Sequence, residues 1–232
     1  MRARYLLIAI ALLALGGAWA LHSGAVRIPD RHNPFAPLAI ADEPTFLTRF
    51  KLARTTRDPA SCAAVLAGSG FRYTPVPDRT AGPGCEIENA VRIDRTSAVV
   101  GTPFVMTCAS AVMLALWERH VLQPSAEAHF GQPVVRIRHF GSFACRNVYS
   151  REAAPRSRHA TADALDIAGF TLADGRQVRV LADWTGEDRA GAFLRDVHGG
   201  ACRFFDTVLG PDYNAAHRDH LHFDRGSYRA CR

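Results

Sequence analysis

The sequence predicts an α+β domain. Three observations predict it: apolar helix-like segments dominate up to about residue 131, short β-branched runs follow from Val134, and Asp174-Gly175 between two of those runs is a hairpin turn signal. Helices followed by hairpin-linked strands argue for an antiparallel sheet. Asp58-Pro59 opens a short helix, "PASCAAVLAGSG", and Gly68 and Gly70 stop it. "PDRTAGPGC" is a loop, and "CEIENAVRID" alternates like a strand. "FVMTCASAVMLALWERHV" (104–121) is apolar on most faces, which predicts a buried helix at the centre of the core. A second short helix is expected from Ser125 to Gly131. "VVRIRHF" (134–140), "ALDIAGF" (164–170) and "QVRVLADW" (177–184) read as strands. The segment from Asp188 to Gly210 carries helical turns that Gly199-Gly200 should interrupt, and a last strand is expected at His220–Phe223.

The N-terminus bears on compartment. Arg2 and Arg4 precede an uncharged apolar run from Tyr5 to Leu21, and Ala18-Trp19-Ala20 is a small-x-small cleavage pattern. Residues 1–21 therefore read as a signal peptide or an uncleaved anchor to the inner membrane, with the remainder exported to the periplasm. The run is slightly short for a span of ~20 residues, which favours cleavage. Residues 22–58, with "IPDRHNPFAPL", read as a Pro-containing tether.

The six cysteines, Cys62, Cys85, Cys108, Cys145, Cys202 and Cys231, are even in number, follow the apolar run and show no Cys-x-x-Cys spacing. Disulfides are the expected use in an oxidising compartment. Pairing by nearness in sequence suggests Cys62–Cys85 and Cys202–Cys231, leaving Cys108–Cys145. The net charge of +6 suits an acidic polymer or anionic lipid. No Lys/Arg block supports nucleic-acid binding.

"HRDHLHFD" (217–224) places three histidines in eight residues. On a strand, Leu221 and Phe223 face the core while His220 and His222 share the other face. Such a pair alone is a weak signal. A second element, "SRHATADALD" (157–166), supplies Ser157, His159 and Asp166. An exported protein whose cysteines form disulfides must bind Zn²⁺ through His and carboxylate. Three such ligands plus water make a catalytic site. His32, His120, His129, His139 and His198 read as surface or packing residues.

"SRHATADALD" resembles the Ser-x-His-x-x-Gly-x-Ala-x-Asp signature of the zinc D-Ala-D-Ala carboxypeptidase and murein endopeptidase superfamily, and "HRDHLH" is similar to the His-x-x-His-x-His of its endopeptidase branch. More of the chain, through "PFAPL", "GSFACR", "LADW", "FLRDVHGGAC" and "VLGPDYNAAHRDHLHFD", resembles the bacterial extensin-like C-terminal domain family. The resemblance implies a D-Ala-D-Ala peptidase or hedgehog-like fold over residues 59–232, its antiparallel sheet carrying a zinc site and packed with helices. It implies His159, Asp166 and His222 as zinc ligands, His220 as general base, His217 and Ser157 as substrate contacts, and Arg146 as a group for a substrate carboxylate or oxyanion. Asp224 could orient a ligand imidazole or be a solvated strand-end charge. The signature's glycine is Ala162 here, which strains the turn if that position needs φ > 0.

The implied activity is zinc-dependent hydrolysis of amide bonds in D-alanine-containing peptidoglycan stems, with His217 tilting the choice toward endopeptidase over carboxypeptidase. The alternatives are a wall-binding domain without catalysis, a serine hydrolase through Ser157, and a cysteine enzyme through Cys145. No Gly-x-Ser-x-Gly elbow surrounds Ser157.

Overall fold

A computed structural model describes residues 2–232; Met1, at the head of the expected signal segment, lies outside the described residues. Helix α1 (Arg2–His22) comes first, and its Arg4–Leu21 window is long and apolar enough to cross a membrane, with a mean hydropathy of 1.8. By length and composition it suits a signal or an anchor, and three disulfides suit an oxidising, exported environment. Next come α2 (Thr48–Thr55), α3 (Pro59–Ala67), β1 (Arg72–Val76), β2 (Arg79–Thr80), β3 (Glu86–Ile87), β4 (Ala90–Arg95), β5 (Val99–Thr107) and α4 (Cys108–Trp117). A π-helical turn, Glu118–Leu122, leads into α5 (Gln123–Phe130) and β6 (Val134–Gly141). The chain then forms β7 (Ala164–Leu172), β8 (Gln177–Arg179), α6 (Val180–Asp183), α7 (Arg189–Ala201), β9 (Thr207–Leu209), β10 (Leu221–Asp224) and β11 (Ala230–Cys231).

The architecture is the expected α+β. One mostly antiparallel sheet runs β1-β4-β5-β6-β7-β10-β9-β11, with β8 also pairing with β7. The parallel neighbours are β5/β6 and β9/β11. Every residue of α4 is buried. Trp117 ties that helix to α7 by donating from Nε1 to the Val197 carbonyl at 2.9 Å, and its ring meets Phe223 of β10 edge-on at 5.1 Å. In β10, Leu221 and Phe223 thus face the helical layer, as alternation predicts, while His222 faces the opposite side.

Several boundaries differ from the sequence expectation. Phe104–Thr107 is the end of β5, not the start of a helix, because these residues pair with Ala90–Ile93 of β4. The helix begins only after Thr107, whose side chain accepts from the Ser110 N–H as an N-cap. "QVRVLADW" is a strand only to Arg179. There the N–H leaves the ladder for the Asp183 carboxylate at 2.7 Å, closing a helical turn. Helix α7 runs unbroken through Gly199-Gly200. A Cβ on Gly200 would sit 2.4 Å from Val121 Cγ1, so this glycine serves close helix packing and does not stop the helix.

The tether is corrected over its second half. Leu38, Ile40 and Leu52 belong to the core, and Lys51, 2% exposed, donates to the Asp30 carbonyl at 2.9 Å. Arg49 pairs with Asp206 and donates to the Phe205 carbonyl. His120 contacts the Ile40 carbonyl at 2.8 Å. The prolines break helical period without preventing the segment from burying its apolar side chains.

Two of the three expected disulfides are also corrected. The bridges are Cys62–Cys108, Cys85–Cys145 and Cys202–Cys231. Nearness in sequence misleads because α3 packs on α4, which brings Cys62 to the first residue of α4 with Cα atoms 6.2 Å apart. Cys85, beside β3, is bridged to Cys145 in the loop after β6. The free thiol that a cysteine mechanism would require at Cys145 is absent.

Candidate metal centre

Strands β7 and β10 pair antiparallel with His222 directly opposite Asp166. Since the flanking pairs Leu221/Ile167 and Phe223/Leu165 face the core, Asp166 and His222 project together from the other face. His159 enters from a short turn, Arg158–Thr161, that precedes β7. Ser157 caps this turn, its Oγ accepting from the His159 N–H at 3.3 Å. Asp163 pins the turn's far end by accepting from Thr107, Thr161 and Arg225. Between them Ala162 lies in the left-handed region, at φ 56° and ψ 30°. The signature's glycine position therefore does require positive φ, at a cost to alanine of about 1 kcal/mol. The turn holds because the Ala162 carbonyl accepts from the Thr107 N–H at 3.0 Å and its N–H donates to the His159 carbonyl at 3.2 Å.

The three groups converge. His222 Nδ1 lies 2.9 Å from Asp166 Oδ1, and His159 Nε2 lies 3.2 Å from both Asp166 Oδ1 and His222 Nδ1. The outer nitrogens decide what these inner atoms are. His159 Nδ1 is 2.9 Å from the Ser142 carbonyl, which can only accept, so Nδ1 carries a hydrogen. His222 Nε2 is 3.0 Å from Asp224 Oδ2, which likewise accepts. In the neutral rings that leaves lone pairs on His159 Nε2 and His222 Nδ1, facing each other and a carboxylate. All ligand atoms lie within 4.8 Å of one another, and such a buried set of acceptors is satisfied either by a proton shared between His222 and Asp166 or by a cation. These residues could therefore hold a metal ion, with each imidazole oriented by an outer acceptor.

Titration points the same way. Burial would raise the Asp166 pKa, but hydrogen bonds from His159 and His222 overcome it and hold the carboxyl well below the usual carboxylate range. Burial would lower the His222 pKa, but Asp166 and then Asp224 outweigh it and push it up to about 9. A site that holds a proton this firmly favours positive charge. We predict that Asp224→Ala weakens metal binding about 10–100-fold, the usual cost of losing such an outer partner, in a competition titration against a chelator.

The cluster sits in a cleft of about 490 Å³ that also contains Arg146, Ser157, His217 and His220. His220 precedes β10, with Nε2 3.6 Å from Asp166 Oδ1 and Nδ1 2.9 Å from Asp219 Oδ1. His217 is buried, and its Nδ1 meets Asn214 Oδ1 at 2.9 Å. Burial, then the charges of His222 and His220, push its pKa down to about 4, so it is neutral at ordinary pH. Arg146 is exposed on the cleft wall, one residue after the Cys85–Cys145 bridge, and forms no ion pair among the described residues. No hydrogen bond joins Ser157 to the His159 ring among the described residues, since that ring is taken by Ser142, Asp166 and His222.

Of the outer partners, Asp224 was readable from its spacing on the strand. Asp219 carried a signal in its adjacency to His220. The Ser142 carbonyl carried none, because a backbone acceptor has no side-chain identity. Asn214, Tyr149 and Tyr213 form a wall around His217, with Tyr149 Oη 2.8 Å from Asn214 Nδ2 and the Tyr213 ring 5.5 Å from that of His217.

Among comparisons with known proteins, the family described as Extensin-like protein C-terminus matches residues 60–232. No curated protein and no solved structure matches the chain. With the family match extending from the first turn of α3 to Arg232, the chain belongs to the extensin-like protein C-terminus family.

Proposed function

We propose that this protein is an exported, zinc-dependent peptidase that hydrolyses amide bonds in the D-alanine-containing stem peptides of peptidoglycan, acting as an endopeptidase in preference to a carboxypeptidase. The observation that carries the reading is the convergence of His159 Nε2, His222 Nδ1 and the Asp166 carboxylate as acceptors on the floor of an open cleft. A two-histidine, one-carboxylate set is one that catalytic zinc uses, and zinc held there would lower the pKa of water toward ~7 and polarise a carbonyl.

The chain's own residues supply the rest. His220 accepts a proton from the attacking water and returns it to the leaving amine, with Asp219 fixing its ring by holding Nδ1–H. Its Nε2 is the nitrogen nearer the cluster, at 3.6 Å from Asp166. Arg146 offers a planar fork to a substrate carboxylate or to the oxyanion. His217 has its Nδ1–H committed to Asn214, so its Nε2 is an acceptor for a substrate N–H. Ser157 buttresses the His159 turn.

The test pairs zinc content with turnover of cross-linked and linear muropeptides by the full chain. We expect about one zinc per chain and cleavage of the cross-link. His220→Ala should retain the zinc and lose about 10²–10⁴-fold in rate, the usual share of a general base. Bound zinc with both classes of muropeptide left intact would sink the peptidase reading and leave a wall-binding domain.

A further inference from the structure

We propose that the arm preceding the family domain is a membrane-docking face that seats the protein on an anionic lipid bilayer, whether or not α1 is removed. The arm packs onto the domain through Thr48, Lys51, Leu52 and Thr55 of α2, all buried. Its outward side exposes large apolar rings: Phe46 is 86% exposed and Phe50 55%. Phe35 is 84% exposed, and its carbonyl accepts from Arg54 of α2 at 3.0 Å, which ties this part of the arm to the helix that carries Phe50. Three rings of about 200 Å² each at these exposures leave roughly 450 Å² of aromatic surface in water, enough to mark an interaction site.

The chemistry around the rings selects the partner. Arg54 is exposed on α2 beside Phe50, and Arg57 is exposed just after the helix, so basic groups flank the exposed rings as at a lipid interface. Around the helix edge, Arg49, Arg57 and Arg225 line a recess of about 330 Å³; Arg49 is paired with Asp206 and Arg225 with Asp163, which leaves Arg57 without an ion pair among the described residues. That recess suits a phosphate headgroup beside inserted rings. Connectivity agrees. Phe35 follows the last residue of α1, His22, by thirteen positions, a reach of at most roughly 45 Å. Val26 and Ile28, both exposed, lie on that path. A bilayer that receives α1 is therefore within reach of the aromatic face. Docking there would hold the cleft at a fixed height above the membrane.

The window of α1 buries nothing against the domain, so the protein from residue 23 onward retains its fold and isolates the arm's contribution. This form is sedimented with vesicles of pure phosphatidylcholine and with equal parts phosphatidylcholine and phosphatidylglycerol. We expect binding to the anionic vesicles, weakened by added salt. The triple variant Phe35→Ser, Phe46→Ser, Phe50→Ser should lose about tenfold or more in affinity with an unchanged melting temperature, since these rings are exposed. Failure to bind either vesicle, or equal binding by the variant, would overturn the proposal. So would lipid-free dimerisation of the wild type that the variant abolishes, which would give the face to a second copy of the chain.

Discussion

Under the proposed function, His222→Ala is expected to remove metal binding and peptidase activity together. His222 supplies one of the three inward ligand atoms found among the described residues and also connects the cluster to Asp224. Its loss leaves two protein ligands, so affinity should fall by more than the ~100-fold that removal of an outer partner costs. The consequence is measurable without a substrate. A ligand at a thousand times its Kd stabilises a fold by about 4 kcal/mol, so a chelator should lower the wild-type melting temperature and leave that of His222→Ala unchanged. Equal zinc content in the two proteins would refute the ligand assignment.

The same residue sets a pH dependence with opposite signs in the two states. Without metal, His222 has a pKa raised from 6.5 to about 9, so its contribution to stability is complete below 6.5 and is lost as pH rises through 9. Metal must displace that proton, so apparent affinity rises over the same window, by up to about tenfold per pH unit. The gap in melting temperature between metal-loaded and chelated protein should therefore widen from pH 6.5 to pH 9. A gap that narrows would show that His222 is not the proton that the metal replaces.

Removing the Cys62–Cys108 bridge as a Cys62→Ala, Cys108→Ala pair should be among the most destabilising changes available. The bridge closes a sequence separation of 46 residues, worth about 4 kcal/mol in the loop-entropy account. Both residues are also buried in the core between α3 and the start of α4. Cys108 is the first residue of the wholly buried α4, so loosening it reaches Trp117 and the back of β10. Denaturant unfolding checks this. A midpoint loss corresponding to less than about 1 kcal/mol would mean that α3 packing alone holds this corner.

Much of the site was legible because it is written locally. Asp166 and His222 sit in strands whose alternation is plain, and the side each faces follows from its apolar neighbours Leu165, Ile167, Leu221 and Phe223. His159 and Asp166 lie within one short motif, so the turn that joins them was visible, and Ala162 pointed to the one conformationally demanding position. The errors share a different cause. Phe104–Thr107 is apolar enough for helix or strand, and pairing with β4 decides which. Gly199-Gly200 looks like a break until Val121 is seen against it. Residues 36–55 look like a linker until Leu38, Ile40 and Leu52 find the core.

The sequence alone determined the α+β class, the apolar N-terminal segment and the residue types of a His/Asp/His cluster, since each rests on periodicity, composition or short motifs; the Cys202–Cys231 pairing agreed with nearness in sequence, a rule that failed for the other two bridges. Tertiary structure decided the other two bridges, the packing of the arm, and the state of each imidazole. Those depend on what distant segments place nearby: Cys108 beside Cys62, the Ser142 carbonyl beside His159 and Asp224 behind His222. The inner nitrogen of each ring is the one left to a metal because another atom, brought from elsewhere by folding, holds the hydrogen on the far side of the ring.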